Sequence, residues 1–369
     1  KKFSKGLWSI PLSLGLDNEI SKKLFSKKSM SIKIPNNTIG FVANYGRQGF
    51  YRVKYDEGIL LDLKMLVDEK RIPAIDRWAI QNDLFSLCVL GDEQVRNYLD
   101  FSDAYFDEDS YLVSVNVAHN LASLYFRTFN EKFTEEIRDY AINYFRKILF
   151  NIGWDSRKSD KHTDALLRVF VISTLGKMND EEVTEEALRR YKKFLKSPNL
   201  LSPDLVEPIC SIAAWNGNAK TYAELKKLYI NAKTMEEKLR FLGAMSGFQD
   251  KKLLLKSLDF SQTSEVRSQN MRVPIMKVAA NPYGDKVLWP WLKKNWKKLN
   301  KKVGHGNPLF NRIVASISSV ADDSMEKEIK QFFKKNPTPG TERTQTQTLE
   351  RIRINSKFLR NMRKEFKDG

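Results

Sequence analysis

Apolar and polar positions keep two different rhythms along this chain. Up to about residue 55 the period is two. Ser29-Met30-Ser31-Ile32-Lys33-Ile34 alternates as a half-buried strand requires. Pro35-Asn36-Asn37 supplies a turn, residues 39–43 read as a short strand, and Asn44-Tyr45-Gly46-Arg47-Gln48-Gly49 turns the chain again. Phe50-Tyr51-Arg52-Val53-Lys54-Tyr55 then places Tyr51, Val53 and Tyr55 on one face of a strand. Upstream, Leu7-Trp8-Ser9-Ile10-Pro11-Leu12 reads as an edge strand, because Pro11 cannot donate to a ladder. Three or four such strands make a thin sheet with little core of its own.

After Asp56 the period changes to about 3.6 and stays there to the end. Helices are predicted over 72–90, 111–129, 134–150, 162–178, 182–195, 203–216, 219–230, 235–246 and 286–299, and a last long one from about Thr341. Turn signals separate them, among them Gly91-Asp92, Ser197-Pro198-Asn199 and Asn281-Pro282-Tyr283-Gly284. Short helices joined by short turns over such a length imply a mainly α chain, an irregular HEAT-like superhelix of stacked helix pairs. No consensus recurs at a fixed period, so it is not a standard repeat array. The expected division is residues 1–56 as a truncated antiparallel β-sandwich and 57–369 as the helical superhelix.

Composition adds size and charge to this picture. The chain has 369 residues, 41% of them hydrophobic, which suits a large core and excludes a disordered chain. No apolar run reaches the roughly 18 residues that span a bilayer, so no membrane partner is expected. Cys88 and Cys210 lie far apart in apolar helical stretches and read as two reduced, buried thiols of a cytoplasmic protein. The formal charge of +18 raises the prior for nucleic acid. The lysines, however, are spread over the polar faces of many helices, as on an ordinary solvated surface.

The candidate chemistry begins with an absence. The histidines are His119, His162 and His305, and none has a second histidine one helical turn away. No H-E-x-x-H pair can therefore hold zinc on a helix face, and no C-x-x-C, P-loop or G-x-S-x-G motif occurs. An independent catalytic site is not expected. Trp289, Leu292, Trp296 and Leu299 recur as one apolar helix stripe, with Lys293, Lys294, Lys297, Lys298 and Lys301 around it. Stacking on single-stranded nucleic acid would need those rings outside, whereas the spacing buries them together.

Three stretches carry a resemblance. The first is Leu7-Trp8-Ser9-Ile10-Pro11-Leu12 followed by Asn44-Tyr45-Gly46-Arg47-Gln48-Gly49-Phe50-Tyr51-Arg52-Val53-Lys54-Tyr55-Asp56. The second is Arg77-Trp78-Ala79-Ile80-Gln81-Asn82-Asp83-Leu84-Phe85. The third runs from Asn281 to Trp296, with Glu237-Lys238-Leu239-Arg240-Phe241-Leu242-Gly243 upstream and Gln347-Thr348-Leu349-Glu350-Arg351-Ile352 after it. In this order they resemble the C-terminal region of aminopeptidase N-type zinc enzymes, including the tricorn-interacting and endoplasmic-reticulum aminopeptidases. The resemblance implies a four-part parent enzyme of which this chain holds part of the β-sandwich and all of an α-helical bowl. The zinc, its ligands and the catalytic residues would belong to an N-terminal catalytic domain. That domain and the peptide substrate are the implied partners, with no cofactor in this chain. In such enzymes the bowl walls off the substrate cavity, and the last long helix lines it. Arg343 and Arg351 of that helix, with Arg353 and Arg360 nearby, are the candidate substrate-binding residues. A guanidinium fork can pair bidentately with a peptide's C-terminal carboxylate. The alternative, a free-standing basic helical-repeat protein binding RNA or DNA, has the net charge as its main support.

Overall fold

The computed structural model describes residues 8–16, 19–36, 38–304, 307–319 and 322–367. Among them are sixteen α-helices and three strands. Leu7 of the first strand reading, Asn37 of the turn that follows residues 29–34, and His305 lie outside the described residues. The chain forms two compact units, one of residues 1–123 with 361–369, the other of residues 124–360.

The first unit opens with an antiparallel sheet of β1 (Ile10–Leu16), β2 (Glu19–Phe25) and β3 (Phe41–Ala43), in the order β2-β1-β3. Pro11 lies on the central strand, not on an edge strand as its sequence suggested. It is tolerated because β3 pairs only from Leu14 onward, which leaves Pro11 facing β2 alone, opposite Leu24. The alternating run 29–34 is not a strand: Ile32 and Ile34 are half-buried, but no described strand pairs with it. Residues 50–55 are extended yet also lack a ladder, because side chains take up their backbone groups instead. Sequence reading missed β2, whose Ile20 and Leu24 face solvent and whose alternation is masked by Lys22 and Lys23.

The sheet is followed by α1 (Glu57–Asp68), α2 (Ala74–Leu90), α3 (Val95–Ser102) and α4 (Tyr111–Thr128), which begins in this unit and ends in the second. Leu63, Val67, Ile80, Tyr98, Phe101 and Tyr105 build the core. Helix α2 also buries charge. The Arg77 guanidinium donates to both carboxylate oxygens of Glu108 at 2.7 and 2.6 Å and to Ile72 O at 2.7 Å. All three bonds satisfy a cation that burial would otherwise make costly.

The second unit continues with α5 (Thr134–Ile152), α6 (His162–Lys177), α7 (Glu181–Lys196), α8 (Pro203–Trp215), α9 (Ala219–Asn231) and α10 (Met235–Ala244). Next come α11 (Lys251–Phe260), α12 (Arg272–Ala279), α13 (Asp285–Val303), α14 (Pro308–Ser316), α15 (Asp323–Lys335) and α16 (Glu342–Glu365), whose last residues belong to the first unit. Helices α6, α8, α10, α12 and α14 pack one on the next, and α5, α7, α9, α11 and α13 lie against that row. From α6 to α12 each helix of that row meets both its sequence neighbour and the helix two further on, which is the contact pattern of stacked helix pairs. The α6–α8 approach is close enough to demand glycine: a Cβ on Gly176 would sit 2.4 Å from Ile212 Cγ1. The boundaries follow local chemistry, as where Thr234 and Glu237 form a reciprocal capping box at the start of α10.

On α13 both Trp289 and Trp296 are buried, 2% exposed each, while Lys294, Lys297, Lys298 and Lys301 face solvent. Trp296 packs against Phe310, Phe332 and Phe333 with centroids 5.0, 5.2 and 6.0 Å away. Trp291 is buried as well, its indole N–H held by Asp259 at 2.8 Å. The rings that a nucleic-acid stacking surface would need are core.

Candidate functional site

The Gly-Phe-Tyr-Arg-Val segment is built as a rigid presenter. Asn44 adopts the left-handed conformation (φ 61°), which asparagine tolerates better than most residues. Its side chain closes the loop: Oδ1 accepts from Gly49 N at 2.8 Å, and Nδ2 donates to Gly49 O at 2.9 Å and Tyr51 O at 3.1 Å. Gly46 and Arg47 also lie at positive φ, 69° and 55°. Such a backbone costs on the order of 1–2 kcal/mol at a non-glycine residue, so Arg47 needs compensation.

Helix α2 supplies it. Asp76 and Asp83 are seven residues apart and share a helix face. Asp76 Oδ1 accepts from Gly46 N at 2.7 Å, and Asp83 takes Arg47 bidentately with both contacts at 2.6 Å. Asp83 also accepts from Val53 N at 3.1 Å, and Arg47 lies over the Trp78 ring at 5.7 Å. Burial pushes the Asp76 carboxyl above the ordinary carboxylate range, and its Oδ2 has no hydrogen-bond partner. The outcome of this locking is display. The Phe50 ring stands fully exposed, and the Arg52 side chain is half-exposed 3.8 Å from Asp83. Trp8 and, on β2, Ile20 and Leu24 are exposed apolar side chains of the same unit. A wet Phe or Trp held on a fixed backbone is suited to docking another surface.

In the second unit α16 presents the four arginines named from the sequence. Arg353 pairs with Glu326 of α15 at 2.8 Å, and this bond holds the Glu326 carboxyl below its ordinary range. Arg360 pairs with Asp323. These two tie α16 to α15. Arg343 and Arg351 lie on α16 with exposed side chains and no hydrogen bond or ion pair among the described residues.

A second feature of this unit was not legible in the sequence. Tyr125, Phe129, Trp215 and Tyr283 form an edge-to-face cluster with centroid separations of 5.7, 6.4, 5.3 and 5.5 Å. At the C-terminal end of α6, Tyr125 OH reaches Lys177 O at 3.5 Å. Burial drives the Lys177 ammonium down to about 8, helped by repulsion from Lys277 and opposed by Glu207. Lys277 and Glu207 pair with each other at 3.0 Å. Tyr125 and Trp215 are buried, and the Trp215 indole N–H donates to Asn179 at 3.1 Å, so the cluster packs the interior where α4, α6 and α8 meet.

No three His, Cys, Asp or Glu side chains among the described residues are grouped so as to hold a metal ion. The exposed His119 has its Nδ1 2.6 Å from Val115 O, one turn away on its own helix. The donor sets of the described residues do not fit zinc. Cys88 and Cys210 are free and buried, and burial raises both thiols well above their ordinary range. No helix of the described residues is long and apolar enough to cross a membrane.

A family model described as "ERAP1-like C-terminal domain" matches residues 41–354. Among curated relatives, Aminopeptidase M1-A of rice (Oryza sativa subsp. japonica) is 29% identical over 87% of this chain and 37% of its own length. Aminopeptidase M1 of Arabidopsis thaliana is 27% identical over 98% of this chain and 44% of its own length. Aminopeptidase 2, mitochondrial, of Saccharomyces cerevisiae is 25% identical over 96% of this chain and 38% of its own length. The chain therefore spans less than half the length of the relatives it matches.

Proposed function

Because this chain belongs to the family of ERAP1-like C-terminal domains, we propose that it works as the non-catalytic C-terminal part of a zinc aminopeptidase. The parent enzyme releases N-terminal residues from peptides in the cytoplasm, with zinc held by an N-terminal catalytic domain. Residues 1–56 supply part of a small β-sandwich beside that domain, and residues 57–369 wall the cavity in which the peptide lies. The single observation that carries this reading is the family match over residues 41–354. The locked loop at 44–55, with Phe50 held out to solvent, supports docking against another domain. Enclosing the peptide would contribute by excluding water and by fixing orientation, not by bond making. Arg343 and Arg351 are free to take the peptide's terminal carboxylate. No observation favours the nucleic-acid alternative, and the burial of Trp289 and Trp296 takes away its stacking surface.

The test is reconstitution. The purified chain should hydrolyse no aminoacyl-amide substrate and bind no stoichiometric zinc, whereas co-expression with the upstream part of its parent should give an active complex. Arg343→Ala and Arg351→Ala in that complex should weaken peptides with a free C-terminus more than their C-terminal amides. Turnover by the chain alone would overturn the non-catalytic reading. Equal treatment of acid and amide would remove the two arginines from the substrate path.

A further inference from the structure

The second unit contains a cavity of about 460 Å³ walled by the turn before α12, the end of α13 and the start of α14. Three cations line it, Arg272, Lys302 and Arg312, and among the described residues its lining includes no carboxylate. Several other arginines are neutralised: Arg47, Arg77, Arg168, Arg190 and Arg353 each hold an acidic partner at 2.8 Å or closer. Arg272 and Arg312 have no hydrogen bond or ion pair among the described residues, and neither is part of a core. Among the described residues Lys302 donates to the Gln262 carbonyl, at 3.1 Å.

Like charges converging on one concavity repel each other, and an anion would relieve all three at once. The remaining wall says what kind. Ser268 and Gln269 offer neutral polar groups, while Val303, Pro308 and Leu309 form an apolar side. The N-terminus of α14 adds the positive end of its dipole, although its first free amide is already capped by Asn307 at 2.9 Å. The volume lies in the range of small-molecule sites, about 300–1,000 Å³. Two guanidinium forks and an ammonium suit an oxyanion of high charge density better than one carboxylate.

We propose that this cavity binds a phosphate or pyrophosphate group, carried either by a small soluble molecule or by a lipid headgroup. Arg343 and Arg351 of α16 do not line this cavity, and the inference does not depend on the peptidase reading. Titration of the purified chain with inorganic pyrophosphate, followed calorimetrically at fixed ionic strength, should show one saturable site. Arg272→Gln and Arg312→Gln should each weaken it by about tenfold or more, the effect of losing one charge-assisted contact. Lys298→Gln removes the same charge from the exposed face of α13 and should leave binding unchanged. Vesicles containing phosphatidic acid form the second arm: retention that needs Arg272 and Arg312 while pyrophosphate fails to bind assigns the lipid source. Absence of saturable binding in both arms, or equal weakening by Lys298→Gln, overturns the proposal. Circular dichroism of each variant separates lost binding from lost fold.

Discussion

A lysine with a lowered pKa makes folding depend on pH in one direction. Lys177 is held at about 8 against an ordinary 10.5, so below pH 8 the folded state keeps a charge that burial disfavours. The sign follows from proton count. Between pH 8 and 10.5 the unfolded chain binds more protons than the folded one, and stability rises with pH through that window. Lys177→Met removes the cost. The variant should be more stable than the parent at pH 7, by on the order of 1–3 kcal/mol, and the gap should close towards pH 10.5. Denaturant midpoints at several pH values measure it, and parallel curves would show that the amine is well solvated. Sequence reading had no access to this residue, because nothing in the run around Lys177 tells which neighbour will cover an amine. Asp76 and Asp83 went unread as well: seven apart, they share one face of α2, but Arg47, thirty-six residues before Asp83, could be found only in three dimensions.

At the scale of elements, the long helices were legible and the strands only in part: the 39–43 reading contains β3, and the 7–12 reading overlaps β1 from Ile10 on. The 162–178 and 203–216 readings differ from α6 and α8 by one residue at an end, because turns and caps mark helix ends locally. Residues 29–34 and 50–55 failed because alternation states only that two faces differ, whereas a ladder needs another strand at the right height. In the second case Asn44 and Asp83 occupy the backbone groups that a neighbouring strand would use. The stripe on α13 supports a firm expectation. Trp296 is buried against three phenylalanines, and its indole N–H reaches Thr338 Oγ1 at 3.3 Å. Trp296→Ala should therefore cost about 3–5 kcal/mol in equilibrium unfolding. Trp296→Phe, which keeps most of the ring, should cost much less. An alanine variant as stable as the parent would mean that the stripe is not core.

On the scale of the whole molecule the stacked order and the family were legible, the first from periodicity and the second from the loop motif. Which exposed residues meet the rest of the parent enzyme could not be read, since exposure is a property of the folded surface. Phe50 gives a direct check. The isolated chain gains little from a ring in water, so Phe50→Ala should change its stability by less than about 0.5 kcal/mol. The same change should weaken assembly with the upstream part by about 2 kcal/mol or more, as an aromatic anchor at an interface does. Measured affinity that stays unchanged would move the docking surface elsewhere.

The last helix bears on how this array can change length. Open helical arrays can gain or lose a pair of helices, because each pair answers only to its neighbours. Here α16, whose Thr344 bonds Asn311 of α14, also reaches α4, where Arg127 donates to Asn355 at 3.0 Å and lies over the Phe358 ring at 5.7 Å. Further along, the Glu365 carboxylate receives the Val95 and Arg96 amides at the start of α3, at 3.1 and 2.7 Å. Within the second unit, a last helix that must touch both α14 and the end of α4 sets how many helices can lie between them. Deleting or duplicating one helix pair would misplace those contacts by the thickness of a helix layer, so evolution can vary the faces of the helices more freely than their count.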